Sequence, residues 1–103
     1  MRIKDKSRDH QLCIDQNEWL PLVDLIDTVY EVLGKEHRDN LRYGYGKTLG
    51  YPEVDKLATA LEQFLEDNEG LERVETDAFH TVEVKRVKDF ISYIRLAQEI
   101  KVY

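Results

Sequence analysis

The stretch Tyr43-Gly44-Tyr45-Gly46-Lys47-Thr48-Leu49-Gly50-Tyr51-Pro52 decides how the chain folds, because it separates one apolar helical pattern from two others. It holds three of the five glycines and three of the six tyrosines. Glycine tolerates backbone angles that other residues avoid, so we expect this stretch to reverse the chain. Its tyrosines are expected either to cover the core edge or to form an exposed recognition surface with Lys47.

The triplet Gly46-Lys47-Thr48 within this stretch is similar to the end of a phosphate-binding P-loop. Such a loop needs a glycine five positions before the Gly-Lys pair, and Leu41 occupies that position. It also needs a helix immediately afterwards, whereas Gly50 and Pro52 interrupt the chain there. The pattern therefore predicts a turn and not a nucleotide site.

Apolar residues at steps of three and four predict three main helices around one core. The first runs from about Glu18 to Gly34, the second from Pro52 to about Asn68, and the third follows a Thr81 cap. Residues 35–42 are predicted to be a connection or a short helical turn, and residues 71–81 either a short helix or a loop. The predicted core contains Trp19, Leu22, Ile26, Leu33, Leu57, Leu61, Phe64, Phe90 and Ile94.

Two short segments at the ends of the chain have the character of strands. Gln11–Ile14 is a short run containing apolar residues, and Glu99–Tyr103 alternates polar and apolar residues. Isolated strands need partners, so we expect these two to pair antiparallel with each other. The predicted fold is therefore mainly α (α+β), with a flexible N-terminal arm at residues 1–10 and a single globular domain at residues 11–103.

Composition restricts the environment of the protein. The chain has 103 residues, with 42% hydrophobic and 35% charged residues, which is typical of a globular domain. No apolar run approaches the roughly 20 residues that a transmembrane helix needs. One cysteine permits no internal disulfide, so we expect a cytoplasmic protein that does not bind membranes.

Acidic residues are concentrated in one quarter of the chain. Between Glu53 and Asp77 there are nine acidic and two basic residues, a balance of −7, whereas the rest has 12 acidic and 13 basic residues. This segment disfavours nucleic acid and favours a basic protein partner, although such a charge run also suits a solvated helix face. The predicted partner-binding residues are Tyr43, Tyr45, Lys47, Asp55, Glu62, Glu66 and Asp67.

A catalytic or metal site is not predicted. Cys13 with His10, His37 or His80 would supply a nucleophile and a base, but Cys13 lies between Leu12 and Ile14, where a cysteine is usually a small core residue. The histidines and cysteine lack the clustered spacing of a zinc site. We therefore expect no enzyme activity, no metal and no cofactor.

The order of these elements resembles a loose class of small uncharacterised bacterial proteins. The resemblance lies at Trp19, at Tyr43, Gly46 and Leu49 in the turn, and at the ranges 57–61 and 90–102. The sequence departs from that class at Gly50, where a polar helix cap is expected, and before the last strand, where a glycine is expected. The resemblance implies a fold, and a size and acidity similar to those of immunity or other partner-binding proteins, but no catalytic residues.

Two functions agree with these patterns. The first is a small acidic partner-binding protein, immunity- or inhibitor-like, that binds a basic protein. The second is a structural or assembly protein that acts as a homo-oligomer through its helices or an exposed strand edge.

Overall fold

A computed structural model describes residues 2–5, 10–29, 35–76 and 80–103. Within these residues the chain is mainly helical, with a small antiparallel sheet, and this confirms the predicted fold class. In chain order the elements are β1 (Arg2–Asp5), β2 (His10–Cys13), α1 (Gln16–Val29), α2 (Lys35–Tyr43), β3 (Lys47–Leu49), α3 (Tyr51–Asp67), β4 (Arg73–Glu75), β5 (Thr81–Glu83), α4 (Val84–Ala97) and β6 (Ile100–Val102).

The two ends of the chain meet in a four-stranded antiparallel sheet of order β2-β1-β6-β3. The tail strand β6 therefore pairs with β1 and β3, and not with Gln11–Ile14 as predicted. The predicted arm at residues 1–10 is also wrong for Arg2–Asp5, which form a central strand with Ile3 fully buried. Four residues with a single apolar side chain are too few to show the alternation that identifies a strand in a sequence. Pairing with two neighbouring strands stabilises β1 instead.

One core lies between the helices and the inner face of the sheet. Ile3, Leu49, Ile100 and Val102 project from the sheet into this core. Seven predicted core residues are buried as expected: Trp19, Leu22, Ile26, Leu57, Leu61, Phe90 and Ile94. Phe64 is only partly buried against the core, and Leu33 lies outside the described residues.

Helix α2 forms where a connection or short turn was predicted. Its sequence is mostly polar, and only Asn40 and Leu41 are buried. The indole N–H of Trp19 in α1 donates to the backbone carbonyl of Leu41 at 2.7 Å. This buried hydrogen bond and the burial of Leu41 hold α2 against α1, so tertiary contacts stabilise a helix with a weak apolar pattern.

Strands β4 and β5 pair antiparallel with each other in and directly after the segment that the pattern left open. Val74 and Val82 pair between these strands and are both buried. Thr81, predicted to cap the third helix, lies instead in β5, and α4 begins at Val84. The single buried valine in each strand carries too little periodicity to identify a strand from sequence. Ala78 and Phe79 lie outside the described residues.

Candidate partner-binding surface

Residues 43–47, which we call the tyrosine loop, connect α2 to β3. Gly44 and Gly46 adopt positive φ angles of 68° and 78°, a region that favours glycine. The side chains of Tyr43 and Tyr45 are 62% and 59% exposed. Their rings stack on each other, with centroids 5.8 Å apart and planes 29° apart. The loop therefore presents one paired aromatic surface to solvent.

Asn40, which is fully buried, forms hydrogen bonds with the backbone of the tyrosine loop. Its side-chain oxygen accepts hydrogen bonds from the backbone N–H groups of Tyr45 and Lys47, at 3.1 and 3.2 Å. Its side-chain amide donates to the carbonyl oxygen of Lys47 at 3.0 Å. Its own backbone carbonyl accepts from the N–H of Gly44 at 2.7 Å. One buried side chain thus fixes the backbone on which both tyrosines stand.

Lys47 is the last residue of the tyrosine loop and the first residue of β3, and it forms an ion pair. Its ammonium group donates to the Glu36 carboxylate in α2 at 2.7 Å. The hydrogen bond from Lys47, followed by its charge, lowers the pKa of Glu36 below its usual value. Both side chains are exposed, so this pair contributes little stability, and it balances the lysine charge beside the tyrosines.

Two of the predicted acidic residues on α3 are held by Arg95 of α4. The guanidinium binds both carboxylate oxygens of Glu62, at 3.0 and 3.1 Å, and one of Asp55 at 2.5 Å. The hydrogen bond to Glu62 is the largest influence on Arg95, whose pKa lies above its usual value. Asp55 and Glu62 therefore connect α3 to α4 and are not unpaired negative charges.

Glu66 and Asp67 lie at the C-terminal end of α3 and are exposed. Asp67 accepts a hydrogen bond from Gln63 at 3.1 Å, and no basic side chain within the described ranges pairs with either acid. At about 1.5 Å per residue, Glu66 lies roughly 22 Å along the helix from Tyr51, where α3 begins. No hydrogen bond or ion pair between described residues joins these acids to the tyrosine loop. The structure thus places the predicted residues in separate groups.

A charged cluster that the sequence patterns did not indicate joins α2 to α1 and to His80, the residue before β5. Arg42 donates to Asp24 at 2.8 Å and to Asp27 at 2.7 Å, and Asp24 also contacts the His80 imidazole. Burial has the largest single effect on the pKa of Asp24, and it raises that pKa. The hydrogen bonds and charges of Arg42 and His80 together outweigh it, so the pKa of Asp24 is lowered. The cluster fixes α2, and with it Asn40 and the tyrosine loop.

Among the described residues, the contacts of this cluster and of the cysteine do not place a nucleophile beside a base. His80 has a carboxylate partner, but no described hydrogen bond brings a serine or cysteine to its imidazole. Cys13 is exposed, contrary to the prediction that it is a core residue. It and His10 are three residues apart in β2, so they face opposite sides of the sheet. No group of three or more His, Cys, Asp or Glu residues in the described chain is arranged to hold a metal.

Asn40 and Arg42 are the residues that sequence reasoning missed at this surface. Both lie in a segment that was predicted to be a charged connection, and their partners lie 5 to 18 residues away. An asparagine in a polar run usually is solvated, and no local pattern shows that this one is buried. The sequence signal for this contact was the Gly-x-Gly spacing of Gly44 and Gly46. It indicates a turn whose backbone N–H groups need hydrogen-bond acceptors.

Comparisons of the chain with protein-family models, curated proteins and solved structures find no match. Within the described residues, no helix combines the length and the apolar character needed to cross a membrane.

Proposed function

We propose that this chain is a small partner-binding protein whose recognition surface is the tyrosine loop. The observation that supports this proposal is the stacked, exposed pair Tyr43 and Tyr45 on a backbone fixed by Asn40. Tyrosine is enriched at protein interfaces and at binding hot spots, because its ring buries a large area and its hydroxyl forms hydrogen bonds. Two such rings in solvent suit a role in binding better than a role in stability.

The fixed backbone of the tyrosine loop favours binding for an energetic reason. A flexible loop loses conformational entropy when a partner orders it, and this loss subtracts from affinity. The hydrogen bonds of Asn40 to Tyr45 and Lys47 restrict the loop before any partner arrives. The stacked rings restrict each other's side-chain rotamers as well.

We further propose that the partner is a basic protein and that the pair meets in the cytoplasm. The chain carries a net charge of −6, and Glu66 and Asp67 present acidic groups that Arg95 does not neutralise. Such charges steer a basic partner and accelerate its association. Asp55 and Glu62 contribute to this field but stay bound to Arg95, so we assign them a structural role.

The test compares two tyrosine substitutions at equal exposure. The immobilised wild-type chain, the double variant Tyr43→Ala/Tyr45→Ala and the variant Tyr51→Ala capture proteins from a cell extract, and bound proteins are identified by quantitative mass spectrometry. Tyr51 is 58% exposed and lies outside the stacked pair, so it is a matched control. We expect a basic protein that wild type and Tyr51→Ala retain and that the double variant loses by about tenfold or more, as for loss of a hot spot.

A second variant separates the acidic contribution. Glu66→Lys/Asp67→Lys is expected to weaken capture of the same protein, with a smaller loss at high salt, because screening removes the charge effect. A captured protein that binds the Tyr43→Ala/Tyr45→Ala variant as well as wild type would exclude the tyrosine loop. An acidic captured protein, unaffected by Glu66→Lys/Asp67→Lys, would exclude the charge assignment.

A homo-oligomeric assembly protein is the second candidate, and the sheet order favours it. β2 and β3 are the two edges of the sheet, and each pairs with a single neighbouring strand among the described residues. An edge strand offers backbone groups to a second copy. Sedimentation velocity over a wide concentration range tests this candidate, since a sedimentation coefficient that stays at the monomer value excludes it.

A further inference from the structure

A small apolar cavity lies where β2 meets α1 and α4, and its volume is about 130 Å³. Leu12 and Ile14, in and directly after β2, form one wall. Leu22 of α1 and Phe90 of α4 form the other walls. Leu22 and Phe90 are buried, whereas Leu12 and Ile14 are only partly buried against the core. The cavity is therefore a gap at the edge of the core, where close packing is incomplete.

The size of the cavity limits what it can hold. An apolar cavity of about 150 Å³, lined by leucine, isoleucine and phenylalanine, is large enough to bind benzene, whereas sites for drug-sized ligands measure roughly 300–1,000 Å³. A volume of about 130 Å³ therefore suits a group near the size of one benzene ring and is too small for a nucleotide. Such a group would remove the apolar surfaces of Leu12 and Ile14 from water, which favours binding.

The opening of the cavity is charged. Glu18, Arg86 and Asp89 line it there, and all three side chains are exposed. Arg86 donates to one carboxylate oxygen of Glu18 at 2.6 Å. The carboxylate of Asp89 forms no hydrogen bond or ion pair with any residue that the structure describes. Two acidic groups and one basic group give the opening a formal balance of −1, so it attracts a cation.

We propose that this cavity binds a small primary amine whose apolar body is about the size of a benzene ring. The body packs against Leu12, Leu22 and Phe90. The ammonium group stays at the opening, where it donates to Asp89 and to the second carboxylate oxygen of Glu18. A primary ammonium is charged at neutral pH, as lysine is, so it complements this opening.

The charges at the opening favour an amine over a carboxylic acid with the same body. A ligand carboxylate would lie beside Asp89 and Glu18, two groups of its own charge, and Arg86 already donates to Glu18. A neutral ligand would gain the apolar contacts alone. We therefore expect affinity to fall from the amine to the neutral molecule and again to the carboxylate.

The cavity shares no residue with the tyrosine loop or with the acidic residues of α3. Binding of an amine therefore neither requires nor excludes the protein partner proposed above. The apolar walls belong to three elements that are distant in the chain, and each residue taken alone is an ordinary core position. Only tertiary packing leaves a gap between them.

The test titrates the protein with benzylamine at neutral pH and low salt, and NMR follows the methyl signals of Leu12, Ile14 and Leu22. Benzyl alcohol and benzoate have nearly the same apolar body and serve as the neutral and the anionic ligand. We expect benzylamine to shift these signals saturably. Benzyl alcohol is expected to bind about two- to fivefold more weakly, the range for one exposed ion pair, and benzoate more weakly still.

Three variants locate the site and its charge. Asp89→Asn is expected to weaken benzylamine by about two- to fivefold and to leave benzyl alcohol unchanged. Asp67→Asn makes the same change on α3, outside the cavity, and is expected to leave both ligands unchanged. Leu12→Phe fills the cavity and is expected to abolish binding of both ligands. Because Leu12 is only partly buried in an edge strand, the melting temperature of this variant should equal or exceed that of wild type.

Three results would overturn the proposal. The first is the absence of saturable shifts at these methyl groups with all three ligands, which would exclude the site. The second is that benzoate binds as tightly as benzylamine, which would exclude an amine as the ligand. The third is equal weakening of benzylamine binding by Asp89→Asn and Asp67→Asn, which would indicate attraction to the net charge of the protein and not to this opening.

Discussion

The tyrosine loop and the acidic face of α3 differ in how the fold holds them. A buried asparagine holds the tyrosine loop through neutral hydrogen bonds, and the helix α2 that carries this asparagine is fixed by Trp19 and Arg42. The acidic face, consisting of Asp55, Glu62, Glu66 and Asp67, is instead held at its first two residues by the surface residue Arg95. A buried residue fixes the tyrosine loop, whereas a surface residue holds the acidic face of α3.

The contacts of Asn40 determine the backbone geometry of the tyrosine loop, whereas the exposed ion pairs of Arg95 change the geometry of α3 little. Asn40 is fully buried and its hydrogen bonds are partly buried, so water replaces these hydrogen bonds less well than it replaces exposed contacts. Water and salt compete well for an exposed ion pair, so removing Arg95 leaves carboxylates that are simply solvated. We therefore expect the free energy of unfolding to depend strongly on the tyrosine-loop contacts and weakly on the Arg95 contacts.

The largest effect is expected from Asn40→Ala. The substitution removes the partners of the Tyr45 and Lys47 N–H groups and of the Lys47 carbonyl. These three hydrogen bonds are partly buried and contribute about 1 kcal/mol each, so we expect a loss of about 3 kcal/mol in the free energy of unfolding. Urea denaturation followed by circular dichroism measures this loss.

Asn68→Ala is the matched control for that measurement. Asn68 is a partly buried asparagine with one hydrogen bond, from its amide to the Phe64 carbonyl at 2.9 Å. It lies at the C-terminal end of α3, where water replaces the lost contact, and we expect a cost of about 1 kcal/mol or less. Equal costs for the two variants would contradict the idea that Asn40 has a special role.

An intermediate effect is expected from Asp24→Asn, and it should depend on pH. The lowered pKa of Asp24 means that its carboxylate stabilises the folded chain above the unfolded aspartate pKa of about 3.9. This stabilisation is lost as the pH falls through the lower, folded pKa. Near neutral pH we expect Asp24→Asn to cost about 2 kcal/mol, because the hydrogen bonds of Arg42 and His80 to a charged group are lost.

Thermal or urea unfolding of wild type and Asp24→Asn from pH 7 to pH 2 tests this effect. The difference between the two proteins should be present above about pH 4. It should shrink below about pH 4, where Asp24 of the unfolded wild-type chain becomes protonated, and be lost as the pH falls through the lower, folded pKa of Asp24. A difference that grows as the pH falls below about 4 would refute the assigned ionisation, since it would require an Asp24 whose folded pKa is raised.

The smallest effect is expected from Arg95→Ala. Its guanidinium bridges Asp55 and Glu62 between α4 and α3, but all three side chains are at least one-third exposed. Exposed ion pairs contribute about 0.2–1 kcal/mol, and salt screens them. Unfolding at low and high salt measures this contribution, and we expect the two proteins to converge at high salt. A loss as large as that of Asn40→Ala would reverse the comparison.

Local patterns predicted the long helices well, because their burial repeats with the helical period. Leu57 and Leu61 in α3, and Phe90 and Ile94 in α4, are four residues apart and fully or almost fully buried. The same patterns failed for α2 and β1, which have too few apolar residues to show a period. Both elements are stabilised by distant partners, α2 by Trp19 and β1 by β2 and β6.

The sequence indicated the tyrosines and acidic residues of the candidate site, but not the residues that hold them in place. The exposed tyrosines were one of the alternatives that the Gly-Tyr pattern left open, and the acidic residues were identified by charge alone. Their partners Asn40 and Arg95 were not identified, because a hydrogen bond across 33 residues, as between Arg95 and Glu62, leaves no mark in local sequence. The sequence shows that a residue is charged, but not whether an ion pair in the folded protein neutralises that charge, as Arg95 does for Asp55 and Glu62.

The sequence by itself determined the mainly helical α+β class, the bounds of α3 within a residue and most of the core, since these follow from local periodicity. Tertiary structure alone decided that β1 lies inside the sheet and that Asn40 fixes the tyrosine loop. The physical reason is the range of the interactions. Helix periodicity is read within a few residues, whereas strand pairing and buried hydrogen bonds join residues that are distant in the chain.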